Sequence, residues 1–158
     1  MLDFGIRAIM VTAARGGQKM NGGARMLQSF VLDKERLTAT IAEIKERKGP
    51  APWAERVVVT DEFVLTVICQ APGHPNDYHY HLHDEAWFIA EGELAWQYEH
   101  APEPHRVKAG DIVFAPKNLW HHIEVLGGKP AIRVACSVAG EFHRYDRPGC
   151  RKAEPSKN

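Results

Sequence analysis

The sequence predicts an all-β fold, a small sandwich or barrel, entered through a short helix. Three observations carry this. From Arg56 onward, short β-branched and apolar runs follow one another at close spacing. Gly/Pro punctuation separates them at Ala71-Pro72-Gly73, Pro116 and Gly127-Gly128-Lys129-Pro130. The 158 residues make one domain of ordinary size, long enough to bury a core, with no internal repeat.

Residues 1–25 contain Gly16-Gly17 and Gly22-Gly23 without sustained periodicity and read as a flexible leader, with Met26 an alternative start. Residues 26–50 are expected to hold the helix. Asp33 is placed to cap it, Leu37, Ile41 and Ile44 recur at helical spacing, and Gly49-Pro50 stops it. The barrel is assigned to 51–142. Its strands are Val57–Thr60, Phe63–Ile68, Ala86–Ala90, Leu94–Tyr98, Asp111–Ala115, Ile123–Leu126 and Ala131–Ala139, with Glu91-Gly92-Glu93 as a hairpin turn. The tail, 143–158, is polar, interrupted by Pro and Gly, and expected to be mobile.

Lys+Arg and Asp+Glu are both 20, so no net field gathers phosphates, which argues against a nucleic-acid partner or a polybasic membrane contact. Hydrophobic residues are 44% and charged residues 25%, and no apolar run approaches the ~20 residues of a spanning helix. Cys69, Cys136 and Cys150 form neither a disulfide framework nor a CxxC pair, and no export signal is read, so the chain is expected in the cytoplasm.

The unusual feature is nine histidines, four of them between His74 and His83. His79 and His81 are two apart, so on a strand both leave one face. Glu85 follows a short turn and shares its face with Trp87 and Ile89, while His121 opens a later strand in which Ile123 and Val125 alternate inward. Three imidazoles and a carboxylate then converge in the mouth of the barrel. That set suits one divalent ion, Fe(II), Mn(II), Zn(II) or Ni(II), and leaves coordination positions open for a small-molecule substrate or dioxygen. His74 and His122 flank the motif, His100 and His105 fall in a polar loop, and His143 in the tail; none is assigned to the metal.

Two blocks now read Gly73-x5-His79-x-His81-x3-Glu85-x6-Gly92 and Gly110-x5-Pro116-x4-His121. They resemble the two motifs of the cupin superfamily, G-x5-HxH-x3,4-E-x6-G and G-x5-PxG-x2-H-x3-N. The first matches at every fixed position. In the second, Asn118 stands for the glycine and Val125 for the asparagine. The resemblance implies a double-stranded β-helix (jelly-roll) barrel with one metal ion, usually in a homodimer.

Residues 55–125 also look similar to 3-hydroxyanthranilate 3,4-dioxygenases, through Phe63-Val64-Leu65-Thr66-Val67, Asp77-Tyr78-His79, Glu85 and Gly110-Asp111-Ile112 to His121. That likeness implies iron held by His79, Glu85 and His121, with His81 open to a fourth role. The family's substrate arginines correspond to Pro75 and Val125, and Cys136 falls where it has an acid–base glutamate. Its substrate is therefore not carried over, and a smaller or less acidic ligand against an apolar wall is expected.

The pocket is expected to be walled by Trp87, Ile89, Val125 and Cys136. Gln97, Tyr98 and Arg133 lie on candidate strands that could orient a polar substrate, although a surface position is the simpler one for Arg133. The leading expectation is a non-heme iron dioxygenase acting on a small molecule, aromatic ones included. The alternatives are a metal-dependent lyase or isomerase, and a non-catalytic small-ligand-binding protein of the same fold.

Overall fold

The computed structural model describes residues 31–154. The predicted leader and the first residues of the predicted helical segment lie outside that range.

The helix is shorter than the sequence suggested. Helix α1 runs Ile41–Lys48. Thr40, not Asp33, is its N-cap: the Thr40 hydroxyl accepts from Glu43 N while the Glu43 carboxylate accepts from Thr40 N, a reciprocal capping box. Asp33 instead closes a local turn, its Oδ1 accepting from the backbone N–H of Glu35 and Arg36 at 2.8 and 3.0 Å. Leu37 stays outside the helix and is exposed, so the helical spacing it seemed to begin was coincidental.

The strands are β1 (Trp53–Val59), β2 (Phe63–Gln70), β3 (Glu85–Glu91), β4 (Glu93–Tyr98), β5 (His105–Lys108), β6 (Ile112–Ala115), β7 (His121–Val125) and β8 (Ala131–Val138). They form two antiparallel sheets, ordered β1-β2-β8-β3-β6 and β5-β4-β7. The expected hairpin at Gly92 is not one: β3 pairs with β6 and β8, and β4 with β5 and β7. Gly92 is the corner where the chain passes from one sheet to the other. Its φ is +81°, and a Cβ there would meet Ala131 Cα at 2.8 Å, so both conformation and space require glycine. His105, expected in a polar loop, opens a strand, β5.

Alternation along the strands sends Trp87, Ile89, Leu94, Trp96, Val113, Ile123 and Val125 inward, between the sheets. A second cluster on the outer side packs Ile44 of α1 against Val57, Val67, Cys69 and Ile132.

The described part of the tail, 143–154, is paired with the barrel. It runs back along the barrel mouth, where Arg144 exchanges backbone hydrogen bonds with Tyr80 and Arg151 with Tyr78. Composition hides this because the pairing is backbone to backbone, indifferent to the side chains. No helix among the described residues is long and apolar enough to cross a membrane.

Candidate metal centre

His79, His81, Glu85 and His121 lie near one another: ligand atoms of His81, Glu85 and His121 form one compact group, and His79 falls in another with His81 and His143. His79 and His121 are held side by side by mutual backbone bonds, His79 N to His121 O at 3.2 Å and His121 N to His79 O at 2.9 Å. His81 is fixed where its carbonyl accepts from Asn118 N at 2.8 Å. Asn118 has φ +64°, so asparagine, which tolerates the left-handed region better than most residues, serves where the motif has glycine. Glu85 opens β3 and points into the barrel.

The three rings lie with centroids 4.9 Å (His79–His81), 4.5 Å (His79–His121) and 5.5 Å (His81–His121) apart. His81 Nε2 is 3.6 Å from Glu85 Oε2. The side chains of His79, His81, Glu85 and His121 are all buried, with exposures of 4, 5, 6 and 1%. Neither ring nitrogen of the three histidines makes a hydrogen bond, nor does Glu85 Oε2. Buried polar atoms are rarely left this way, because each costs about 1–3 kcal/mol. Convergent orphaned nitrogen and oxygen donors fit a divalent ion, and ligand atoms of His81, Glu85 and His121 all lie within 4.8 Å of one another.

The electrostatics point the same way. Burial, then repulsion from neighbouring imidazoles, pulls His81 down to about 4 and His121 to about 3, and His79 lower still. All three rings are therefore neutral at pH 7, the form a metal binds. Burial pushes Glu85 up to about 7, opposed by the hydrogen bond that Ser137 Oγ donates to its Oε1.

His143 was not foreseen at the site. Its ring stacks on His79 at 3.6 Å, and its Nδ1 lies 3.2 Å from Asp77 Oδ2. It forms a second compact group with His79 and His81. Asp77 anchors this arrangement, accepting also from Tyr145 Oη and from Ala153 N at 2.7 Å. The other histidines stay away from the ion site: His122 stacks on Tyr78 and His83 pairs with Glu141.

The predicted pocket residues divide. Trp87, Ile89 and Val125 are inward and buried in the barrel core, and Tyr98 packs against that core with its Oη donating to Phe114 O at 2.6 Å. Gln97 is not in the pocket; it alternates outward and its amide donates to the carbonyls of Tyr98 and Ala101. Cys136 is exposed on the outer face, and its neighbour Ser137 is the residue that faces Glu85. Arg133, for which the surface was the simpler place, is 3% exposed and inward, so the interior wall is not purely apolar. Along β8, Ala131, Arg133, Ala135 and Ser137 share one parity, the signal that would have found both.

Residues 66–136 match the family model described as a cupin domain. Three solved structures are similar. A conserved protein with a double-stranded β-helix domain from Klebsiella pneumoniae is 26% identical, with TM-score 0.52 over 68% of this chain and 90% of that one. A cupin family protein from Methanocaldococcus jannaschii is 24% identical, with TM-score 0.53 over 58% and 84%. The polyketide cyclase RemF from Streptomyces resistomycificus is 18% identical, with TM-score 0.53 over 66% and 72%. No curated protein matches the chain. The comparisons support the cupin fold and give no support to a narrower tie with 3-hydroxyanthranilate dioxygenases.

Proposed function

Starting from a chain that carries a cupin domain of double-stranded β-helix fold, we propose a metal-dependent enzyme acting on a small molecule at an ion held by His79, His81, Glu85 and His121, with the chemistry of a non-heme iron dioxygenase. The observation that carries this reading is the set of buried donor atoms without partners. Two histidines and a carboxylate grouped within 4.8 Å are the ligand set that non-heme iron oxygenases use. A ferrous ion bound there supplies open coordination positions and one-electron chemistry toward dioxygen.

The chain's own residues do the rest. His79, His81 and His121 present neutral rings, so the ion meets no proton on them at pH 7. The Ser137 hydroxyl orients Glu85 and favours its charged form. Trp96, stacked 6.0 Å from His121, closes the floor against water. His143, held by Asp77 over His79, stands at the mouth, where it can bind or orient a substrate. The chain works as a homodimer, supported by the exposed Phe88, Ile112 and Phe114 on the outer face of β3 and β6.

The test is metal identity together with oxygen uptake. Iron in the purified protein, and dioxygen consumption with one of a panel of phenols and hydroxy acids, is the expected result. Zinc or nickel without uptake would move the reading to a lyase or isomerase using the ion as a Lewis acid, since the same ligands accept those metals.

A further inference from the structure

We propose that Arg133 anchors a second site, for a small organic carboxylate, in the cavity between β1, β2 and the loop at residues 74–76. This inference does not depend on the metal reading.

Arg133 sits on the inner face of β8 between Ala131 and Ala135. It is 3% exposed, yet no carboxylate lies within ion-pairing distance among the described residues. Its Nη1 donates to Gln70 Oε1 at 2.7 Å, its guanidinium lies 5.3 Å from the centre of the Trp87 ring, and its Nε is buried with no acceptor. Gln70 is a neutral partner. Its own amide is engaged with the carbonyls of His74 and Ile123 at 3.2 and 3.5 Å, so its Oε1 stays turned toward the guanidinium and cannot be traded for a charge. The carboxylate that acts on Arg133 through space, Glu85, belongs to the metal centre. Buried cations are ordinarily paired, because an uncompensated one costs several kcal/mol. The missing group is an anion.

Arg133 lines a cavity of about 330 Å³ together with Trp53, Ile68, Gln70, Pro75 and Asn76. That volume is at the lower end for small-ligand sites, roughly 300–1,000 Å³. Asn76 Nδ2 donates to Gln70 Oε1 at 3.4 Å on the loop side of the cavity. One planar cation offers two parallel N–H donors, the match for a carboxylate. Trp53, Ile68 and Pro75 supply an apolar wall for the rest of the molecule. A single cation with apolar walls favours a monoanion with a carbon body over inorganic phosphate.

The experiment is calorimetric titration of the full chain, as purified and after chelator treatment, with benzoate, its neutral isostere benzamide, and inorganic phosphate. Benzoate should bind both forms of the protein, with benzamide and phosphate at least about tenfold weaker, the difference one charge-assisted hydrogen bond makes. Gln70→Glu places an internal carboxylate beside Arg133 and should abolish benzoate binding while holding or raising the melting temperature. Asn76→Asp, on the loop side of the cavity, should weaken benzoate similarly and serves if the first variant does not fold. The proposal is overturned if benzoate does not bind, if benzamide or phosphate binds as well as benzoate, or if the folded variants bind benzoate as the parent does. Binding that vanishes on chelation would also overturn it, by showing carboxylate at the metal, whereas metal content itself reports separately on that centre.

Discussion

Glu85 sets how the centre responds to pH. Burial raises its pKa to about 7 in the metal-free chain, so below that pH an incoming ion must displace a proton. The histidines, at about 4 or lower, are already neutral and add no slope above pH 5. Metal affinity should therefore be flat above pH 7 and fall about tenfold per pH unit below it, read by competition with a chromophoric chelator. Ser137→Ala should move the break to higher pH, because the lost hydroxyl favours the charged carboxylate, whereas Cys136→Ser, on the exposed outer face, should leave it in place. An unchanged break in Ser137→Ala would refute this account of Glu85. The same shift has a stability consequence of defined sign. Between the ordinary 4.5 and about 7 the folded metal-free chain keeps a proton that the unfolded chain releases, so its stability declines as pH rises through that window.

At the scale of the elements, the Gly92 corner decides whether the two sheets can share one core. Gly92→Ala adds a Cβ 2.8 Å from Ala131 Cα and forces an unfavourable φ of +81°. The cost should be about 3 kcal/mol, combining the left-handed penalty with overpacking, and a drop in melting temperature of roughly 6–12 °C checks it. A variant that melts with the parent would mean the corner is not constrained as described. The strands themselves were legible from β-branched runs and Gly/Pro breaks, including β8 to within a residue of its end. Their partners were not: two strands joined by one glycine read as a hairpin, and only the long-range register shows them parting into different sheets. The helix start was misplaced because Asp33 and Thr40 are both good caps, and the reciprocal bond with Glu43 decides between them. His143 was missed for a related reason, since its place at the site comes from the tail's backbone pairing and from Asp77, sixty-six positions away.

Across the whole molecule, the closeness of the candidate ligands was the most legible feature, since the motif spacing places His79 and His81 near Glu85 although neither histidine lies in a named strand. The interior wall was less so; residues of opposite parity on β8, Arg133 and Cys136, cannot both face inward, and the structure keeps the arginine. The outer face of β3 and β6 bears Phe88, Ile112 and Phe114 at 46, 78 and 57% exposure, an apolar patch of the kind that marks an interface. Light scattering should give a dimer mass, and Phe114→Glu should shift it toward the monomer; a parent that is already monomeric would remove the dimer from the account. The central claim, that His79, His81, Glu85 and His121 together hold one ion, is tested most directly by elemental analysis of the purified chain beside His121→Ala and Glu85→Ala. The account predicts about one divalent metal per parent chain and occupancy at least about tenfold lower in each folded variant. Full metal retention in both variants would contradict it.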